Sequence, residues 1–220
     1  MEPIIQNGSI MRQDFILDFE TIGQNATKCP VVDCAYVVFS WDRFLEDPYS
    51  FEELTSLVKT DKLDIAQQCR DGSKFSKGDL AWWEKQGDEA KSKLQPSSND
   101  LTVEQFTDNM FAYLREVGKV DYWWSRSNTF DPVILDRLFF DLGKQDLLYQ
   151  YLKWWRIRDI RTFIDAKFNF STRNGFVPLA DEEYWKKSFI AHDSTHDVAA
   201  DILRLQTIHR AENDLDQTDR

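Results

Sequence analysis

The segment Phe15-Ile16-Leu17-Asp18-Phe19-Glu20 constrains this chain more than any other. Phe15, Leu17 and Phe19 fall on one side of a period-two pattern and Ile16, Asp18 and Glu20 on the other, which predicts a β-strand with two carboxylates projecting together. Such carboxylates are costly among apolar neighbours unless a positive group compensates them, and a divalent cation would do so. An edge strand with one wet face would also tolerate an Asp-x-Glu pair, so the pair alone decides nothing.

Val31 to Trp41, rich in Val, Tyr and Phe, reads as a second strand after a loop containing Gly23 and Pro30. Phe51 to Ile65 reads as one or two further strands. Ser76 is placed to cap a helix over Lys77 to Gln86, and helical signals recur from Asp88 to Leu94 before Pro96 ends them. Thr102 and Gln105 form a capping-box pair ahead of Val103, Phe106, Met110, Leu114 and Val117, which repeat at helical spacing until Gly118. Asp121 to Arg126 predicts a short strand, and Pro132 opens a helix to about Leu142 with Gly143 after it. A short strand is expected around Ile157 to Thr162, then a helix from Phe163 and a polar loop containing Asn174, Gly175 and Pro178. The final helix starts near Ser194, with Val198, Ile202 and Leu205 as its buried stripe. Strands mixed with helices, without strict alternation, predict an α/β fold around a mixed central sheet flanked by helices. The expectation is a single domain over residues 1–220 with a core at about 14–210, a short N-terminal extension and a frayed acidic tail after Ala211.

No stretch approaches the roughly 20 apolar residues that span a bilayer, and Met1 to Gln13 lacks a leader pattern, so a soluble cytoplasmic protein with no membrane partner is expected. Cys29, Cys34 and Cys69 lack paired spacing and read as structural thiols. The net charge of −11 argues against a nucleic-acid partner, because phosphate binding draws on Lys and Arg. An acidic cluster neutralised by bound cations weakens that objection. Lys153 to Lys187 also holds eight basic residues (Lys153, Arg156, Arg158, Arg161, Lys167, Arg173, Lys186, Lys187) against five acidic ones.

Three more groups are candidates for chemistry. Asp131 begins a helix, where N-capping explains an Asp as well as any reaction does. Asp197 lies in the first turn of the last helix, where the helix dipole is the ordinary account. His192 precedes Asp197 by five residues, about 500° of helical rotation, so it is expected in the loop leading in, free to take a proton from water.

Taken in order, these five groups resemble the DEDDh 3′→5′ exonucleases, the superfamily of polymerase proofreading subunits, oligoribonuclease and ribonuclease T. The likeness rests on Asp18-Phe-Glu20-Thr21 after an apolar strand with Gly23 nearby, on Phe130-Asp131 at a helix start, and on His192, four residues, Asp197. Within it the chain is similar to the exonuclease A group of T-even bacteriophages and its bacterial relatives, through Trp82-Trp83 with Gln86, Arg158-Asp-Ile-Arg161-Thr162 and Ala191-His-Asp-Ser-Thr-His-Asp197. The resemblance implies a ribonuclease-H-like fold and release of nucleoside 5′-monophosphates from a single-stranded 3′ end. It implies two Mg²⁺ or Mn²⁺ ions, one held by Asp18, Glu20 and Asp197, the other by Asp18 and Asp131, with His192 as general base. Many members carry Asn four residues before the second-motif Asp, where this chain has Ser127, with Asn128 one place later.

Around this centre Thr21, Ser127, Asn128, Phe130, Trp82, Trp83, Gln86, Arg158 and Arg161 are candidate substrate contacts. Adjacent helical residues point apart, so at least one of Trp82 and Trp83 is expected in the core, and the same applies to Trp123, Trp124, Trp154 and Trp155. Arg158 and Arg161 could meet phosphate or nearby acids. The phage likeness favours single-stranded DNA and host cytoplasm, with RNA as the alternative, since no motif reports a 2′-hydroxyl contact. Two rivals remain: a zinc helix through His192 and His196, and a non-catalytic nucleic-acid-binding domain of the same fold.

Overall fold

In the computed structural model, which describes residues 5–6, 9–10, 12–169, 175–176 and 187–218, two short strands, β1 (Ile5–Gln6) and β2 (Ser9–Ile10), pair with each other ahead of the main sheet. That sheet begins with β3 (Gln13–Thr21), antiparallel to β4 (Val31–Ser40), with Glu20 opposite Asp33. Of the expectations above, those on Arg173, Asn174, Pro178 and Lys186 lie outside the described residues.

After α1 (Arg43–Glu46), the segment expected to be one or two strands forms α2 (Phe51–Leu57), β5 (Lys59–Lys62) and the start of α3 (Ile65–Arg70). Helix wins at Phe51 because Ser50 caps it through the Glu53 N–H, and Phe51, Leu54 and Val58 bury one helical face. Only β5 remains extended, paired along β4. Then come α4 (Lys77–Trp83), opened by a capping box of Ser76 and Asp79, α5 (Asp88–Ser92), and α6 (Val103–Val117), opened by the Thr102 and Gln105 box.

The short strand β6 (Trp123–Ser125) runs parallel to β3, and α7 (Asp131–Phe140) and α8 (Gln145–Tyr151) follow, the second not anticipated. Strand β7 (Ile157–Asp159) pairs parallel with β6. Helix α9 (Ile160–Lys167) begins before Phe163 because the Asp159 carboxylate caps it through the Thr162 N–H. The last helix, α10 (Ser194–Thr218), continues through the stretch expected to fray.

The main sheet has the order β5-β4-β3-β6-β7. The period-two pattern of β3 separates two cores. Phe15, Leu17 and Phe19 pack with Phe106, Met110 and Leu114 of α6 and Ile134 and Leu138 of α7. Ile16 packs on the other face with Leu54 of α2, Ile160 and Ile164 of α9, and Val198, Ile202 and Leu205 of α10. Asp18 and Glu20 continue that second face toward the end of β3, where α10 arrives. Among the described residues, no helix is long and apolar enough to cross a membrane.

Candidate active site

The first turn of α10 brings Asp197 over the end of β3, and one carboxylate oxygen each from Asp18, Glu20 and Asp197 lie within 4.8 Å of one another. Asp131 reaches the same place from the other side. Alternate β3 amides face β6, beginning with the Phe15 N–H, which donates to Tyr122. Strand β6 stops at Ser125, so the Phe19 N–H lies past its end and donates instead to Asp131 Oδ1 at 3.3 Å. The helix cap at α7 is Phe130, with no side-chain cap bond, so the Asp131 carboxylate is buried toward β3 and does not serve as an N-cap.

These carboxylates resist ionising together. Burial drives the Asp18 carboxyl well above the usual carboxylate range, with Asp131, Glu20 and Asp197 adding repulsion. Glu20 is pushed up to about 9, first by burial and then by Asp197 and Asp33, with Lys93 opposing. Burial raises Asp131 to about 7 against the Phe19 hydrogen bond, and raises Asp197 to about 7 with help from Asp201 and against Arg204 and Arg126. Among the described residues no hydrogen bond to the side-chain oxygens of Asp18, Glu20 or Asp197 is formed, and the nearby cations Lys93, Arg126 and Arg204 only partly offset their mutual repulsion. The hard oxygen donors of the cluster fit a divalent cation.

His192 occupies the turn before α10 with a left-handed backbone, φ 61°. Its Nδ1 lies 3.9 Å from Glu20 Oε1, and its ring meets the Trp82 ring edge to face at 4.7 Å. Partial burial lowers its pKa, which favours the neutral imidazole. His196 goes elsewhere: its Nδ1 accepts the Ile190 N–H at 2.9 Å and its ring packs on Phe51. The two histidines therefore do not converge on one ion, and the zinc-helix reading fails.

The tryptophans divide. Trp83 is buried and donates its indole N–H to the Thr21 carbonyl at 3.0 Å, whereas Trp82 is 43% exposed beside His192. Trp123 and Trp124 are core residues, while Trp154 and Trp155 are exposed. The Thr21 hydroxyl donates to the Gly23 carbonyl, and the amide of Gln86, in the turn after α4 rather than in the helix, donates to the Trp82 carbonyl. Ser127 pairs with Thr129, the Asn128 N–H donates to Asp159, and Phe130 packs against the α6–α7 core. The Arg158 guanidinium lies 4.1 Å from the Tyr122 ring centroid and donates to the Ile157 carbonyl. Arg161 is close enough to the site to favour ionised Asp131.

Several residues around the centre were not singled out from sequence. Asp201, one turn past Asp197 on α10, is buried and accepts from Arg126 at 2.7 Å and Arg204 at 2.6 Å. Its i,i+4 spacing from Asp197 was a usable signal; its pairing with Arg126 across 75 residues was not. Asp33, Lys93 and Asp193 form an ion-paired group beside Glu20.

A family profile described as the 3′-5′ exoribonuclease Rv2179c-like domain matches residues 13–201. The exodeoxyribonuclease of Enterobacteria phage T4 is 32% identical over 210 residues, covering 88% of this chain and 87% of that protein. Apo exonuclease I superimposes with a TM-score of 0.56 at 13% identity, over 89% of this chain and 41% of that one. E. coli exonuclease I with a dT13 oligonucleotide gives 0.54 at 14% identity, over 91% and 40%. A zinc-bound complex of E. coli exonuclease I with single-stranded DNA gives 0.54 at 12% identity, over 90% and 39%. This chain thus spans about two-fifths of exonuclease I, and the likeness shows the ribonuclease-H-like α/β fold alone.

Proposed function

The chain belongs to the family of 3′-5′ exoribonuclease Rv2179c-like domains, and on that premise we propose that it is a metal-dependent 3′→5′ exonuclease that degrades single-stranded DNA to nucleoside 5′-monophosphates. One observation carries the proposal: Asp18, Glu20 and Asp197 converge within 4.8 Å on a partly buried, donor-poor spot flanked by Asp131 and His192. DNA is favoured over RNA by the phage T4 relative, an exodeoxyribonuclease similar over most of both chains.

Asp18, Glu20 and Asp197 would hold one ion and Asp18 with Asp131 a second, Mg²⁺ or Mn²⁺ suiting carboxylate oxygens and a phosphate substrate. Bound there, such ions would lower the pKa of water and offset charge developing at phosphorus and on the leaving 3′ oxygen. The protein supplies the proton acceptor. With Nδ1 of His192 turned toward Glu20, Nε2 is the nitrogen left to take the proton of the attacking water, and its lowered pKa keeps it unprotonated near neutral pH. The exposed Trp82 ring offers a stacking face for a base beside the scissile end, without sequence preference.

Digestion of matched 5′-labelled DNA and RNA oligomers with Mg²⁺, Mn²⁺ or chelator tests this. Stepwise shortening from the 3′ end, faster on DNA, abolished by chelator and by Asp18→Asn, is the expected result. Faster shortening of RNA would make the protein an exoribonuclease, and no shortening with either metal would leave the binding-domain reading.

A further inference from the structure

Lys93, just past α5, touches two carboxylates at once. Its Nζ lies 2.6 Å from Asp33 Oδ2 and 3.0 Å from Asp193 Oδ2, and its side chain is only 17% exposed. Asp33 stands opposite Glu20 across the β3–β4 ladder, and its other oxygen accepts the Ser194 hydroxyl at 2.8 Å. The other oxygen of Asp193 accepts the N–H groups of Thr195 at 3.0 Å and His196 at 3.2 Å, so one carboxylate caps α10 and binds Lys93 together.

The neighbour of Asp193 is His192, whose left-handed backbone is unfavourable for a residue with a Cβ and persists only when its surroundings enforce it. The enforcing contacts come from one part of the chain: α4 supplies Trp82 against the imidazole, and the residue after α5 supplies Lys93. Lys93 ties the histidine turn to the strand that lies beside Glu20.

We infer that Lys93 is a positioning residue: through Asp193 it holds the His192 turn in the conformation that aims the imidazole at the carboxylate cluster. This rests on the exonuclease reading above. Lys93 also favours ionised Glu20, so a competing route, through the charge of the metal-binding carboxylates, has to be separated from the first.

Lys93→Met should lower kcat roughly 10- to 100-fold, the scale on which misplacement of a reacting group by about 1 Å is felt, with KM for a single-stranded oligomer and Mn²⁺ affinity changed less than twofold. In a His192→Ala background the same substitution should cost nothing further. The His192 imidazole NMR signals should move in Lys93→Met. Should that variant fold poorly, Asp193→Asn removes the ion pair while keeping a capping side chain, and the same kcat loss is expected. Wild-type kcat in both variants, an undiminished loss in the His192→Ala background, or a parallel fall in Mn²⁺ affinity would each overturn the inference. If the wild type releases no nucleotides the exonuclease reading fails, while the imidazole signals still report whether Lys93 orders the turn.

Discussion

Asp131 accepts the backbone N–H of Phe19, the residue between Asp18 and Glu20, at 3.3 Å. A side chain thereby completes a hydrogen-bond ladder that β6 is too short to continue, and the same bond fixes a buried carboxylate beside the other three. Asp131→Asn should keep the bond through its amide oxygen while removing a repelling charge. Its metal-free melting temperature should equal or exceed that of the wild type. Turnover should fall by about 10²-fold or more, since metal-ion stabilisation is worth several kcal/mol. Asp131→Ala orphans the Phe19 N–H and should also lose about 1–3 kcal/mol of stability. Wild-type turnover in Asp131→Asn would remove Asp131 from the reaction.

Stability should depend on pH and cation together. Burial raises Glu20 to about 9 and Asp131 and Asp197 to about 7 in the folded chain. The folded state thus binds these protons more tightly than the unfolded state, a contribution fully present below the ordinary carboxylate range near pH 4 and lost as pH rises through about 7 and then about 9. Metal-free protein should melt at progressively lower temperature across that window. The gain in Tm on adding Mg²⁺ or Mn²⁺ should grow over the same interval, because the ion displaces the same protons. A cation-induced gain that shrinks with rising pH, measured by scanning calorimetry, would count against this cluster as the binding site.

Trp82 and Trp83 should part company when substituted. Trp83 is fully buried with its indole N–H bonded, so Trp83→Ala should cost about 3–5 kcal/mol in denaturant unfolding. Trp82→Ala should leave stability within about 0.5 kcal/mol, as for an exposed site, and raise KM for single strands several-fold, with Trp82→Phe restoring part of the loss. Equal destabilisation by both would contradict the assignment.

Two carboxylates on one face of β3 have opposite work. Asp14 is fully buried yet saturated, accepting from the indole N–H groups of Trp41 and Trp124 at 2.7 Å, from Arg12 and from the Tyr122 amide. Asp14→Ala should destabilise by about 3 kcal/mol or more, leaving several buried donors unpaired, with kcat of the folded fraction unchanged. Asp18→Asn should do the reverse: retained fold, lost activity.

The separation of Phe15, Leu17 and Phe19 from Ile16, Asp18 and Glu20 was legible because period two survives in any sheet. The helix from Val103 was legible because its cap and stripe are local. Phe51, Leu54 and Val58 misled because a short apolar run fits either period, and the Ser50 cap decided it. Whether Asp131 caps α7 or projects toward β3 was open in the pattern alone, since that depends on where β6 ends, and β6 is held by long-range pairing. Asp33, Lys93 and Asp193 meet across 60 and 100 residues of chain, a proximity no local pattern carries.

The left-handed backbone at His192 sets durability against turnover. Glycine would relax that torsion by about 1 kcal/mol relative to alanine, so His192→Gly should outlast His192→Ala on heating while being equally slow. The turn would be sturdier with glycine than with alanine at this position. With His192 in the proposed role of proton acceptor, a copy of this chain no longer selected for nuclease work is expected to drift at position 192 early.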